Sequence, residues 1–407
     1  MLNKIVTKIF KPRHPWRQMK FDELSEIYVS MLFRGLAISM TGLFVPIYML
    51  KLGYGIDAIT LVIAVYFTSR FLFLDMLSAY SVARFGPKHS LIFGYVLLGT
   101  NTALFLALNS IPIPLWIIGT VWGGSASFFF IPFHVDFSKI KHSKHGGKEL
   151  SYVHAMEKTG AVIGPLVGGI VATLFGAQYL FLIATLLIVV GLLPLLLTSE
   201  PVKTRQHISF YGLPIRRLKR DYISMAALGV ENTLSMSLWP LFIGLFVFLD
   251  KTVYAKVGTI TTISIIASIF AVYTIGKTID NRKGRYLLRA NATANAALNL
   301  LKPFAFGFSP ALMVAVVNDI ITPGYRIPYQ KGFYDAADDL PGYRIAYIAS
   351  MEWFGSLCKS AIWWLLFLMT PIFSEYSVIT TGFVIAAIAS MLIMTEKFKA
   401  LNAPRKR

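Results

Sequence analysis

Apolar residues run along this chain in blocks about as long as a membrane is thick, separated by short polar or Gly/Pro-containing turns. The blocks lie at 27–50, 58–81, 89–109, 113–137, 151–175, 178–198, 222–249, 257–279, 286–306, 309–330, 344–370 and 376–395. An α-helix rises ~1.5 Å per residue, so about twenty apolar residues cross a hydrocarbon core of ~30 Å. The pattern predicts an all-α membrane protein with twelve transmembrane helices, six in 27–198 and six in 222–395. Residues 199–221 form the one long hydrophilic break and read as a linker, with 1–26 as an N-terminal segment and 396–407 as a basic tail. The ninth block is the most diluted, by Arg289 and several asparagines.

The two groups of six are copies. Tyr152-Val-His-Ala-Met-Glu-Lys-Thr-Gly160 returns 195 residues later as Tyr347-Ile-Ala-Ser-Met-Glu-Trp-Phe-Gly355. Upstream, Ile131-Pro-Phe pairs with Ile327-Pro-Tyr, and Tyr28-Val-Ser-Met and Pro46 recur as Tyr222-Ile-Ser-Met and Pro240. A period this long exceeds any solenoid repeat and marks two homologous bundles, between which a substrate pathway is expected.

Composition agrees with the pattern: 56% of residues are hydrophobic, 14% are charged and mean hydropathy is +0.62. The net charge of +19 is distributed by side. Basic residues fill the N-terminal segment, the loop carrying Lys139 to Lys148, the linker, the turn Arg282 to Arg285 and the tail, all on one side of a twelve-span topology. The opposite loops hold little beyond Lys51, Lys251, Lys256 and Lys302. Positive residues stay cytoplasmic during insertion, which predicts cytoplasmic termini and linker in a cell (inner) membrane and accounts for the charge without a nucleic-acid partner. No cleavable signal peptide is recognised. Leu2, Ile5, Ile9 and Phe10 among lysines read either as a short helix on the inner membrane surface or as a solvated tail. With Cys358 the sole cysteine, no intrachain disulfide can form.

Three local motifs, with the repeat and the linker, resemble the major facilitator superfamily, in which two six-helix bundles rock about a central cavity. The family signature Gly-xxx-Asp-Arg-x-Gly-x-Lys/Arg between helices two and three is kept in part as Arg84-Phe-Gly86-Pro-Lys88, with Ala79 and Ala83 replacing its Gly and Asp. The second half carries Gly276 and Asp280 before Arg282-Lys-Gly284-Arg285 at a longer spacing. Gly160-Ala-Val-Ile-Gly164-Pro165-Leu-Val-Gly168-Gly169 is similar to the Gly-Pro-xx-Gly-Gly motif of the antiporter branches, and the resemblance implies drug/proton exchange. Close helix packing by small residues explains the same glycines with no transport direction. The arginine that many proton-coupled relatives carry in helix four is Gly119 here, four residues before Gly123.

Ionisable groups inside spans are costly in lipid and mark functional sites. Counting along the helices puts Arg70, Glu231 and Asp319 near the bilayer centre, and Arg34, Asp75, Glu157 and Glu352 in the cytoplasmic half. Lys359 lies further toward the outside. Glu231 and Asp319 are candidates for proton coupling or substrate binding, with Arg34 and Arg70 as their partners or as anchors for an anionic group. Glu157 and Glu352, equivalent by repeat, are candidate gates, joined by Asp280 and by Asp136 opposite Arg84. Gly160, Gly164, Pro165, Gly168 and Gly169 are candidates for conformational packing. His134, His142 and His145 give no complete metal-ligand set and read as solvated or interfacial. No catalytic motif, cofactor site or P-loop is recognised. With 14% aromatic residues, the expectation is a monomeric secondary transporter that exports amphiphilic organic compounds by alternating access, in exchange for protons. Import of a polar metabolite, or a lipid-handling or receptor role on the same fold, stays open.

Overall fold

The computed structural model describes residues 23–140, 146–197, 208–250, 252–280, 284–340 and 342–401, with side chains described throughout except at 23–25, 137–140, 146–159, 270–280 and 400. Among the described residues the regular structure is helical. In order the helices are α1 (Glu23–Thr41), α2 (Val45–Lys51), α3 (Ile56–Ser69), α4 (Asp75–Phe85), α5 (Pro87–Ala107), α6 (Leu115–Ile140), α7 (Gly146–Leu174) and α8 (Gln178–Leu192). The second half follows with α9 (Ile215–Phe242), α10 (Val253–Asp280), α11 (Gly284–Leu301), α12 (Phe308–Asp338), α13 (Arg344–Met369) and α14 (Glu375–Ile393). A π-helical turn, Arg70–Leu74, joins α3 to α4, and a second, Ile243–Val247, extends α9.

Among the described residues, seven helical runs are long and apolar enough to cross a membrane, and Gly160–Leu174 and Val253–Ile269 are shorter apolar helices. The apolar character of α11 and α13 is diluted by polar and charged groups that turn out to be buried, among them Asn295, Glu352 and Lys359. Helices outrun the apolar blocks at the linker end: α9 starts at Ile215, inside the stretch assigned to the linker, and α12 continues to Asp338. Those extensions are polar, so hydropathy does not register them. The N-terminal surface helix expected at residues 2–10 lies outside the described residues.

Leu174, Leu197 and Met313 are each at least 69% exposed, and many other large apolar side chains face outward. Apolar exposure on this scale, on helices of spanning length, fits a lipid-facing surface and an integral membrane protein. The buried side chains join the two halves. One apolar cluster at the linker end runs from Tyr28 and Phe133 to Tyr329, Phe333 and Tyr347. Another joins Tyr48, Phe67 and Phe105 to Leu238, Trp363 and Phe383.

The glycines of α7 serve two different contacts. A Cβ added at Gly160 would strike the Leu32 carbonyl oxygen with Leu36 N at 2.9 Å, and one at Gly168 would lie 3.0 Å from Phe44. Both lie against α1 or the turn that follows it, within the first half. Gly169 and Pro165 instead meet α10 of the other half: a Cβ at Gly169 would lie 2.6 Å from Tyr254 O, and one at Gly258 would press on Pro165 O. Gly169→Ala and Gly258→Ala are therefore expected to disfavour this closure of α7 on α10. Labelling of a reporter cysteine at Lys256 by an impermeant reagent should rise about three- to tenfold in either variant, and unchanged labelling would show that this contact does not govern closure.

Candidate functional site

The site begins with the π turn. In a regular α-helix Arg70 and Asp75 would point ~140° apart, five residues at ~100° each. The wider Arg70–Leu74 turn brings them together, with Arg70 Nε donating to Asp75 Oδ1 at 3.1 Å. Such turns cluster at functional sites because they re-aim side chains at the cost of a regular ladder. α6 supplies the facing wall. A Cβ at Gly119 would lie 2.8 Å from Val62 O, and one at Gly123 would meet Tyr66 O at 2.6 Å and Arg70 Cγ at 3.4 Å. A side chain at position 119 has no room here, and buried Arg70 comes from the facing helix.

Arg70 and Asp75 are respectively 2% and 0% exposed, so each needs partners to offset desolvation. They find them across the halves. Arg70 Nη2 donates to Glu352 Oε2 at 2.9 Å on α13, and Ser356 Oγ donates to Asp75 Oδ2 at 2.6 Å. Ser127 Oγ of α6 donates to Asp75 Oδ1 at 2.6 Å. His134 Nε2 stands 3.8 Å from Glu352 Oε1, and its Nδ1 shares a 2.7 Å hydrogen bond with Tyr334 OH of α12. Higher along the same seam, Thr68 Oγ1 is 2.8 Å from Ser360 Oγ and accepts from Trp364 Nε1 at 2.8 Å. One guanidinium thus bridges a carboxylate of each half, with one charge-assisted hydrogen bond to each.

Aromatic rings line the first-half side. The Arg34 guanidinium lies 3.3 Å over Phe129 and 5.9 Å from Phe130, and Phe130 is also 5.9 Å from Arg70. Both arginines expected at the site are therefore buried in the first half against α6.

The carboxylates expected to couple protons lie elsewhere. Glu231 sits inside the second bundle, accepting from Ser235 Oγ (2.9 Å), Asn295 Nδ2 (2.8 Å) and Tyr325 OH (2.8 Å). Lys302, counted from sequence as an outer-loop charge, folds inward, is 1% exposed and donates to Ser235 Oγ and Asn299 Oδ1. Asp319 is half-buried and accepts from Ser264 Oγ of α10 at 2.6 Å. Neither reaches the Arg70 cluster through a hydrogen bond.

The gate assignments fare unevenly. Glu352 joins the cluster, whereas the side chains of Glu157 and Asp280 lie outside the described residues, as do His142 and His145. Arg84 is exposed with its guanidinium 5.5 Å over Phe85, and no ion pair joins it to buried Asp136. The turn uses Lys88 instead, whose Nζ donates to Glu26 Oε2 at 2.8 Å, both nearly inaccessible. Arg285 pairs with Glu396 (2.9 Å) and with Phe398 O, tying α11 to the segment after α14 within one half. His134 was read as solvated or interfacial, yet it is 8% exposed and central. Its signal was its position two residues before Asp136 on an aromatic helix, which excludes bulk water. Ser127, Ser356 and Tyr334 carried no signal beyond being small or polar within a span.

Comparison with known proteins agrees with this architecture. The profile of the Major Facilitator Superfamily matches residues 27–323. Multidrug resistance protein 2 of Bacillus subtilis (strain 168) is 25% identical over 310 residues, 72% of this chain and 74% of that protein. Multidrug resistance protein 1 of the same organism is 25% identical over 193 residues, a match spanning 46% of this chain and only 47% of that protein. Among solved structures, the E. coli fucose:proton symporter FucP aligns with a TM-score of 0.63 at 14% identity, over 91% of this chain and 96% of FucP. The nucleoside transporter NupG aligns with a TM-score of 0.62 at 12% identity, over 92% and 98%. With the family profile covering most of its length and its fold shared with these transporters, the chain belongs to the major facilitator superfamily.

Proposed function

We propose that this transporter exports amphiphilic organic compounds by alternating access, in exchange for protons. The observation that carries the reading is the buried cluster of Arg70 and Asp75 with Glu352, which holds a carboxylate from each half on one guanidinium. Protonation of Glu352 would release one arm of that tie, so the proton state and the contact between halves change together. His134 beside Glu352 offers a route for the proton. Glu231, fully occupied inside one bundle, has the place of a structural anchor. Twelve crossings, cytoplasmic termini and a monomer in the cell membrane complete the proposal, with the basic segments facing the cytoplasm. The multidrug resistance relatives support export over import, whereas the glycines of α7 serve helix packing and carry no direction.

The test is transport in proteoliposomes of purified protein under pH gradients of either sign, using amphiphilic aromatic probes and, in parallel, fucose and a nucleoside. Accumulation of an amphiphile against a proton gradient supports export. Glu352→Gln should abolish the pH-driven component, by at least about tenfold, while Glu231→Gln retains pH dependence at a lowered rate. Proton-driven entry of a sugar or nucleoside alone would replace the proposal with symport of a polar metabolite, the second reading that the FucP and NupG alignments favour.

A further inference from the structure

Lys359 stands out from every other ionisable group at the interface. It is 8% exposed, lies on α13 seven residues after Glu352, and so shares its face two turns further along. It makes no hydrogen bond or ion pair among the described residues. The ring of Phe67, contributed by α3 of the other half, lies with its centroid 4.9 Å from Nζ. The charged groups that act on it, Arg70, Asp75 and Glu352, are already committed to one another. Its stem packs against the glycines of its own half: a Cβ at Gly229 would lie 3.3 Å from its Cδ and 3.5 Å from its Nζ, and one at Gly355 3.9 Å from its Nζ.

A buried ammonium with no hydrogen bond or close ion pair costs stability and is kept only where something else repays it. We propose that Lys359 is the substrate anchor, and that the substrate is an amphiphilic anion whose carboxylate or other acidic group takes up the ammonium while its apolar body lies against the interface aromatics. Phe67 occupies the ammonium between substrates, as an aromatic face holds a cation without a hydrogen bond. This inference rests on the transporter reading of the same interface and adds the polarity of what is carried.

The experiment uses the purified full-length protein at neutral pH and two matched probe pairs, 2-naphthoate with 2-naphthylmethylammonium and 4-phenylbutyrate with 4-phenylbutylammonium. In each pair the apolar body is held nearly constant while the charge is inverted. The wild type should bind each acid at least about tenfold more tightly than its amine. Lys359→Gln and Lys359→Met should lose that preference, and Lys359→Arg should keep it within about threefold. Lys219→Gln, an exposed charge on α9, should change nothing. Lys359→Met should also unfold at the same or a higher temperature than wild type, because it removes an uncompensated charge, whereas a structural lysine would leave a less stable protein. Equal or stronger binding of the amines, or acid affinity unchanged in Lys359→Met, would overturn the proposal. The transport assay separates the two readings. Acids that bind through Lys359 but are not moved by any gradient leave the anchor standing and remove export. Amines exported independently of Lys359 leave export standing and remove the anchor.

Discussion

Arg70→Gln should reduce transport by at least about a hundredfold per folded molecule. The substitution leaves Asp75 and Glu352 buried beneath a neutral side chain, and breaking one partner out of a buried ion pair costs ~3–5 kcal/mol. Part of that cost falls on folding and part on the contact between halves, so yield from gel filtration must be measured beside transport. Arg70→Lys separates the two. An ammonium keeps the charge but has no planar fork to reach both carboxylates, so this variant should fold while transporting about tenfold more slowly. The double variant Arg70→Gln with Glu352→Gln removes the uncompensated acid and should recover yield without recovering pH-driven transport. Wild-type transport in Arg70→Gln would show that the cluster is incidental to the cycle.

The second large effect is expected along α7, where the outcome depends on which atom a new side chain meets. Gly164→Leu should abolish transport, since the α1 backbone lies 3.0 Å from a Cβ at this position and leaves no room for a branched chain. Gly164→Ala should be milder, because the closest atom it meets is the Ser39 hydroxyl, which can rotate away. Gly160→Ala should be worse than Gly164→Ala although it adds the same methyl group, because its Cβ lands on the Leu32 carbonyl oxygen and only a shift of the helices relieves the overlap. Overpacking of this kind costs ~1–3 kcal/mol, enough to lower the active population by about tenfold. Thermal stability and transport measured on the three variants check the order. Equal tolerance of Ala at 160 and 164 would mean that α1 and α7 are further apart in the working protein.

Much of the fold was open to reading from periodicity, because a membrane span must be apolar over most of its length and short segments such as 152–160 and 347–355 recur at a constant offset. What hydropathy missed was polar helix, as in α9 before residue 222 and α12 beyond residue 330, where the helix outlasts the apolar block. The site was only half legible. Arg70, Asp75 and Glu352 could be recognised as costly charges within spans, but the sequence carries no trace of the π turn that sets Arg70 against Asp75. It therefore paired none of them correctly. Glu231 looked equally functional because cost alone does not reveal direction. Its amide and hydroxyl partners on α9, α11 and α12 come from sequence positions far apart. Glu26 lies in the polar first turn of α1, just before the first apolar block, which hid the partner of Lys88. Lys359 was singled out only by its depth, although Glu352, Ser356 and Lys359 fall at helical spacing on one face of α13.

The most direct test of the account follows the two halves by pulsed electron spin resonance. Spin labels at Arg84, at the linker end of α4, and at Tyr286, at the linker end of α11, would be introduced in a Cys358→Ala background and measured in lipid nanodiscs. If the tie of Arg70 to Glu352 holds the halves together, Glu352→Gln should move the distribution toward longer distances. Acidifying the wild type should move it in the same direction, while acid should have little further effect on the variant. Distance distributions that are the same in wild type and Glu352→Gln at every pH would contradict it.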